Sequence, residues 1–100
     1  MITDQGLKNL SALTALTSLY LDNNVFANDK VIRRVTITDS GLAHLKELRN
    51  LKVLLLRGND IPDAGVEQLK SLPKLEQLEL QNTNVTEAGV KALKDALPNL

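Results

Sequence analysis

One short phrase recurs four times along this chain, and its spacing constrains the fold more than any other feature. The copies are ITDQGL at 2–7, ITDSGL at 37–42, IPDAGV at 61–66 and VTEAGV at 85–90. The last three begin 24 residues apart, whereas the first begins 35 residues before the second, which leaves room for an 11-residue insert. A fixed period of about 20 to 30 residues is typical of stacked like units. The chain is therefore expected to be a repeat solenoid rather than a globule around a pocket.

The period divides residues 1–100 into units within a single domain. The units are 2–24, 37–60, 61–84 and a partial one at 85–100, with the insert at 25–35. The last unit stops at Leu100, before its strand, and we expect the chain to be a fragment of a larger repeat protein.

Each unit carries two hydrophobic spacings in succession. Leu42, Leu45 and Leu48 recur every three residues, which indicates one face of a helix. Leu54 and Leu56 then alternate with polar or exposed positions, which indicates a strand with one buried face. A helix followed by a strand is thus predicted for every unit.

The start of each predicted helix carries polar residues and a glycine. The threonines are expected to cap the first turn and the acids to favour its positive end; they are Thr3, Thr38 and Thr86, followed by Asp4, Asp39 and Glu87. In the third copy Pro62 replaces the threonine, which leaves Asp63 as the candidate cap. A glycine costs about 1 kcal/mol inside a helix, so its recurrence predicts close contact with the adjacent unit. These glycines are Gly6, Gly41, Gly65 and Gly89.

A polar residue follows each strand, at Asn24, Asn59 and Thr83. Its side chain is expected to satisfy backbone groups of the turn from one unit to the next. The pattern LxxLxLxxN is complete at 16–24 and 51–59, and at 75–83 it ends in threonine. With the ITDxGLxxL helices, these motifs resemble the leucine-rich repeat family, in the 24-residue bacterial form akin to the cysteine-containing and GALA-like subclasses. The resemblance implies an α/β right-handed solenoid of about three and a half repeats, with parallel strands on the concave face and short helices on the convex face. It also implies a protein-interaction role for the outward strand residues.

Alternation along the strands identifies those outward residues. They are Ser18, Tyr20, Asp22, Val53, Leu55, Arg57, Gln77, Glu79 and Gln81. We call this set the sheet face. Tyr20, Val53 and Leu55 would form an apolar centre with a polar ring, as in a binding hot spot. The alternative is an ordinary sheet surface with scattered apolar residues and an exposed Asp22–Arg57 pair.

The predicted sheet face is small. Three strands about 4.8 Å apart, each about 17 Å long, offer roughly 250 Å². A standard interface buries about 800 Å² per partner. Binding through this face alone is therefore expected to be weak.

The insert at 25–35 holds the only phenylalanine, and nearly half of it is apolar. Its second half, towards Ile37, is rich in β-branched residues and is expected to be extended. One reading is a projecting loop that contacts a partner through Phe26, Arg33 and Arg34. The other is a loop expansion whose apolar residues fold over the first repeat.

Composition argues against several other classes. Twelve basic and twelve acidic residues cancel, so neither nucleic acid nor an anionic membrane is an expected partner. No cysteine is present, and the single His44 has no second ligand near it in sequence, so neither a metal nor another cofactor is predicted. The recurring acids belong to helix starts, and no enzyme activity is expected. Without a signal peptide or transmembrane segment in this chain, the compartment is undetermined, with the cytoplasm as the default.

Neither end of the array carries a polar capping repeat. Ile2, Leu7, Leu10 and Leu19 are expected to lie bare at the start; Val85, Val90, Leu93, Leu97 and Leu100 at the finish. The favoured function is binding of a protein or peptide partner through the concave face. One alternative is a structural unit that self-associates through its uncapped ends. Another is a non-catalytic recognition domain of a larger enzyme or signalling protein.

Overall fold

The structure is a computed structural model that describes residues 2–22, 25–27, 30–32 and 35–100. Short strands and helices alternate along it. The strands are β1 (Ile2–Thr3), β2 (Ser18–Tyr20), β3 (Val25–Ala27), β4 (Lys30–Ile32), β5 (Val35–Thr36), β6 (Val53–Leu55) and β7 (Gln77–Glu79). The helices are α1 (Asp4–Lys8), α2 (Asp39–Leu42), α3 (Asp63–Leu69) and α4 (Glu87–Ala96), and a 3-10 helix, Ala43–Glu47, follows α2.

Strands β2, β6 and β7 form one parallel sheet in that order. Each is the strand of a successive repeat, and the same position of the repeat pairs throughout, as Leu19, Leu54 and Leu78 show. Parallel neighbours need a crossover, which the helices provide here. The expected α/β repeat solenoid is confirmed, with a helix followed by a strand in each of the three complete units.

The helices are short, and the leucine spacing explains their form. A repeat of three residues matches the 3-10 helix, which has three residues per turn. Leu42, Leu45 and Leu48 accordingly lie on one fully buried line along α2 and the 3-10 helix. Among the helices that the structure describes, only α4 reaches ten residues.

The insert contains a two-stranded antiparallel hairpin, in which β3 pairs with β4. After it, β5 pairs in parallel with β1. The backbone of the second half is thus extended in β4 and β5, as its β-branched composition predicts. Asn24, Arg33 and Arg34 lie outside the described residues, and so does the side chain of Phe26.

The core is a column of aliphatic side chains between the sheet and the helices. Its members exposed by 2% or less are Leu7, Leu21, Ile37, Leu42, Leu45, Leu48, Leu51, Leu54, Leu56, Ile61, Val66, Leu69, Leu72, Leu75, Leu93 and Leu97. They come from every repeat, so the stack shares one continuous core.

The expectation of bare ends was wrong in part. Leu7 is fully buried because it points into the second repeat, and Leu93 and Leu97 are buried along α4 and the turn that follows it. The other end residues with described side chains are half-buried; they are Leu10, Leu19, Val85, Val90 and Leu100. The side chain of Ile2 lies outside the described residues. Across the described part of the chain, no helix has the length and apolar character needed to cross a bilayer.

Candidate functional site

The register of the sheet places the outward strand residues in rows. Ser18, Val53 and Gln77 form one row. Tyr20, Leu55 and Glu79 form the next row, as predicted. Because the alternate positions carry the buried leucines, both rows lie on the side of the sheet that faces away from the helices.

Tyr20 is the most prominent side chain of these rows, with 66% of its surface exposed. Beside it, Leu55 and Val53 are half-buried, so part of their surface remains on the outer side. Glu79 closes the Tyr20 row with a half-buried carboxylate. The structure thus brings together the apolar centre that the sequence predicts, with a carboxylate at one side.

Just beyond the strands, Asp22 and Arg57 form an ion pair between the first two repeats. The guanidinium donates from Nη2 and Nε to Asp22 Oδ2, at 2.7 and 3.1 Å. The backbone N–H of Arg57 donates to Asp22 Oδ1 at 2.8 Å. The hydrogen bond to Asp22 and its charge raise the pKa of Arg57 above its usual value. Gln81 lines the same shallow groove as this pair, so the third predicted row also comes together.

The acids at the helix starts have a role that the sequence analysis did not identify. Asp4 accepts hydrogen bonds from the backbone N–H of Thr38, at 2.8 Å, and from its hydroxyl, at 2.5 Å. Asp63 accepts the same two bonds from Thr86, at 2.7 and 2.5 Å. Each carboxylate therefore links one repeat to the next, an arrangement that we call the Asp–Thr clamp.

The predicted threonine caps were largely wrong. Thr3 and Thr38 make no capping hydrogen bond through their side chains. Thr86 accepts only a long bond from the Gly89 N–H, at 3.4 Å. Asp63 is the first residue of α3 rather than its cap, since the cap position is occupied by Pro62. The hydroxyls of Thr38 and Thr86 instead donate to a carboxylate of the preceding repeat, which is a charge-assisted hydrogen bond.

Close packing explains three of the four glycines, and the acid of the clamp is the contact at two of them. A Cβ at Gly41 or Gly89 would overlap the carboxylate of Asp4 or Asp63. At Gly65 a Cβ would lie 2.7 Å from Ile61 Cγ2 and 3.3 Å from Asp39 Cβ. The expected close contact with the preceding repeat is confirmed at these positions. It is wrong for Gly6, which has no neighbouring atom within 4 Å of that point.

Asn59 connects repeats through the predicted polar turn. Only 2% exposed, its amide donates to the carbonyls of Leu21 and Leu56, at 2.7 and 3.1 Å. Its oxygen accepts from the Ile37 N–H at 3.2 Å. Thr83, at the same position of the next repeat, donates to the Leu80 carbonyl at 2.6 Å and accepts from the Val85 N–H at 3.4 Å, so both bonds stay within three residues of it in the chain. The expected link between units is thus present at Asn59 and missing from the described contacts of Thr83.

The remaining candidates concern the insert and metal binding. Of the insert residues proposed to contact a partner, the side chain of Phe26 and all of Arg33 and Arg34 lie outside the described residues. Within the described part of the chain, no group of three or more histidine, cysteine or acidic side chains is placed to hold a metal ion.

The sequence contains a signal for the clamp, although the same residues also fit the role of helix caps and helix-start charges. Threonine and aspartate are adjacent in the repeated phrase, and both lie at the same helix start. When units stack, the acids of successive units form one column and the threonine hydroxyls form another. The pattern therefore predicts acid–threonine contacts between units as readily as contacts within one unit. Distinguishing the two requires the offset between neighbouring helices, which the sequence does not give.

A leucine-rich repeat family model matches residues 47–70 and 71–94, two consecutive segments of 24 residues. Two leucine-rich repeats therefore lie in this part of the chain. Their period of 24 residues equals the spacing of the repeated phrase. The match supports no particular subclass, and the chain has no cysteine. No curated protein matches the chain significantly. Leucine-rich repeats are in general protein-interaction motifs without catalytic activity.

Proposed function

We propose that these leucine-rich repeats bind a protein or peptide partner through the sheet face. The observation that carries the proposal is the row formed by Tyr20, Leu55 and Glu79. It places an aromatic ring, 66% exposed, beside a partly exposed leucine and a carboxylate. Tyrosine is enriched in binding hot spots because its ring offers a large contact area while its hydroxyl stays hydrogen-bonded.

The rim of the face supports the same function. Arg57 is held in place by three hydrogen bonds to Asp22, so its remaining donors are presented in a fixed orientation. Ser18, Gln77 and Gln81 are exposed polar groups around the apolar centre. An apolar centre with a hydrogen-bonding rim is the usual anatomy of a protein interface. The area of about 250 Å² favours a short peptide, or a weak contact that further repeats or the insert would enlarge.

A randomised peptide display library, selected on the immobilised chain, tests the proposal. Tyr20→Ala should weaken the binding of enriched peptides about tenfold or more, as expected for a hot-spot residue. Leu55→Gln, in the middle strand, should weaken it in the same direction.

Leu13→Ala is the matched control, because Leu13 is the other large hydrophobic side chain exposed among the described residues, at 51%, and it lies off the sheet face. It should change peptide affinity by less than about twofold. Peptides that bind the Tyr20 variant as tightly as the native chain would contradict the proposal.

A further inference from the structure

Glu79 is the charged member of the Tyr20 row, and its carboxylate has no partner within the described part of the chain. The residue is half-buried in β7, where Leu55 is its neighbour on the adjacent strand. Its backbone carbonyl accepts from the Leu56 N–H at 3.0 Å, but no hydrogen bond or ion pair between described residues uses its carboxylate oxygens. No polar side-chain atom of the described residues is buried without a partner, so this carboxylate still meets solvent.

The two other charged residues of the sheet face are paired with each other. Two of the three hydrogen bonds that join Arg57 to Asp22 come from its guanidinium, so the positive charge nearest Glu79 on this face is neutralised by Asp22. The pKa of Arg57 is raised mainly by Asp22 and only to a lesser degree by the charge of Glu79, and no ion pair joins Arg57 to Glu79. One negative charge is therefore left on the sheet face, although the whole chain has a net charge of zero.

The apolar centre lies at a defined distance from this charge. Tyr20, Leu55 and Glu79 are on three successive strands of the sheet, at one position of the register. Strands are about 4.8 Å apart, so a ligand side chain seated between Tyr20 and Leu55 would lie about 7 Å from the Glu79 position along the row. In an extended peptide, residues two positions apart point to the same side and are separated by about 6.6 Å. The row thus matches the spacing of alternate side chains in an extended peptide that crosses the strands.

We propose that the partner is a peptide segment with a lysine or arginine two residues away from an aromatic or large aliphatic residue. This inference rests on the proposed function, because it names the ligand of the same sheet face. The apolar side chain packs between Tyr20, which is 66% exposed, and Leu55, while the basic group binds the carboxylate of Glu79. Arginine suits this position especially well, because its guanidinium can donate two parallel hydrogen bonds to a carboxylate.

The composition of the peptides enriched from a display library tests the ligand chemistry directly. Peptides selected on the native chain should carry the apolar and basic pair, two positions apart and in either order, more often than the unselected library. Glu79→Lys reverses the charge at the end of the row. The same library selected on that variant should be enriched in aspartate or glutamate at the position that the basic residue held.

Affinity measurements by isothermal titration calorimetry test the role of Glu79. Glu79→Gln should weaken the binding of the enriched basic peptides about fivefold or more, because a charge-assisted hydrogen bond is lost. The affinity of the native chain should also fall as salt is added, and this dependence should be smaller in the variant. Glutamine has nearly the same shape, and the substitution removes no described hydrogen bond of the side chain, so the variant is expected to fold, as circular dichroism would verify.

Glu47→Gln is the matched control for the change in net charge. Glu47 is exposed at the end of the 3-10 helix and lies outside the sheet face, so its removal should change peptide affinity by less than about twofold. On the peptide side, norleucine in place of the lysine keeps the aliphatic stem and removes the charge. This replacement should weaken binding to the native chain and have little effect on binding to the Glu79→Gln variant.

The outcomes separate this proposal from the binding function itself. Enriched peptides that depend on Tyr20 but carry no basic residue would overturn the proposal and leave the binding function standing. Equal affinity of basic peptides for the native chain and for the Glu79→Gln variant would do the same. A library that yields no enriched peptide, or only peptides that bind independently of Tyr20, would overturn the binding function and this proposal together.

Discussion

The junction between the first and second repeats differs from the junction between the second and third. The first is rich in polar links: the clamp of Asp4 with Thr38, the buried amide of Asn59, and the Asp22–Arg57 pair. At the second junction Pro62 removes both donors of the clamp.

Apolar burial differs between the two junctions in the opposite direction. Leu42, Ile61 and Leu69 around the second junction are fully buried, whereas Leu10, Leu16 and Leu19 of the first repeat are only half-buried. Among the described residues, the side-chain hydrogen bonds across the second junction are at the exposed periphery, such as that between Lys74 and Asn50. The comparison indicates that buried and charged side-chain links support the repeat with less buried surface, while apolar packing and backbone pairing serve in the middle of the stack.

The largest effect is expected from a substitution that disrupts the apolar junction. Leu54→Ala, in the middle strand, should lower the free energy of unfolding by about 2 to 5 kcal/mol, because it leaves a cavity between two covering repeats. Leu19→Ala, at the same position of the half-buried first strand, should lower it by clearly less. Urea denaturation of both variants measures the difference. Equal losses would contradict a packing gradient along the stack.

The next largest effect is expected when the buried amide of the polar junction is removed. Asn59→Ala leaves the Leu21 and Leu56 carbonyls and the Ile37 N–H without their partner, and should cost about 3 kcal/mol. Thr83→Ala, its counterpart in the next repeat, loses the bond to the Leu80 carbonyl and the long bond from the Val85 N–H, both local, and should cost about 1 kcal/mol. Differential scanning calorimetry would rank the two variants. A Thr83 loss as large as that of Asn59 would show that the link between repeats contributes nothing.

A smaller effect follows from restoring the missing clamp. Pro62→Thr supplies a hydroxyl and an N–H to Asp39, worth about 1 kcal/mol, and offsets the roughly 0.4 to 1 kcal/mol lost with the proline. The net change in stability should be near zero, so a double-mutant cycle with Asp39→Ala is the decisive measurement. The two positions should couple by about 1 kcal/mol in the favourable direction. A coupling of zero would mean that Asp39 is not placed to form the clamp.

The smallest effect concerns pH. Hydrogen bonds from Thr86 hold the pKa of Asp63 below its ordinary value of 3.8. A carboxyl with a lowered pKa in the folded state stabilises the fold fully above the unfolded pKa, and the contribution is lost as pH falls through the folded pKa. NMR titration of the Asp63 carboxyl should therefore show a midpoint in the acid range that moves upward in Thr86→Ala. Because Asp63 is only partly buried and still meets solvent, the accompanying change in stability should be small and confined to pH below about 4.

The sequence by itself determined the repeat, its helix and strand, and the rows of the sheet. The 24-residue period fixes which residues are equivalent, and the two-residue alternation fixes which side of each strand is buried. Together they place Tyr20, Leu55 and Glu79 in one row without any coordinates. The repeat architecture and the composition of the sheet face were predictable for this reason, whereas the β3–β4 hairpin and the pairing of β1 with β5 were not predicted.

Only the tertiary structure decided the partners of the polar residues. Asp4 and Thr38 are 34 residues apart in the chain, and Asn59 and Leu21 are 38 apart. Whether a threonine binds the acid of the neighbouring repeat depends on the offset and approach of adjacent helices, which a periodic pattern leaves open. The burial of Leu7 and Leu97 near the ends likewise depends on how the first and last helices pack against the neighbouring repeats. Periodicity specifies which face of each element is buried, and packing geometry specifies what it is buried against.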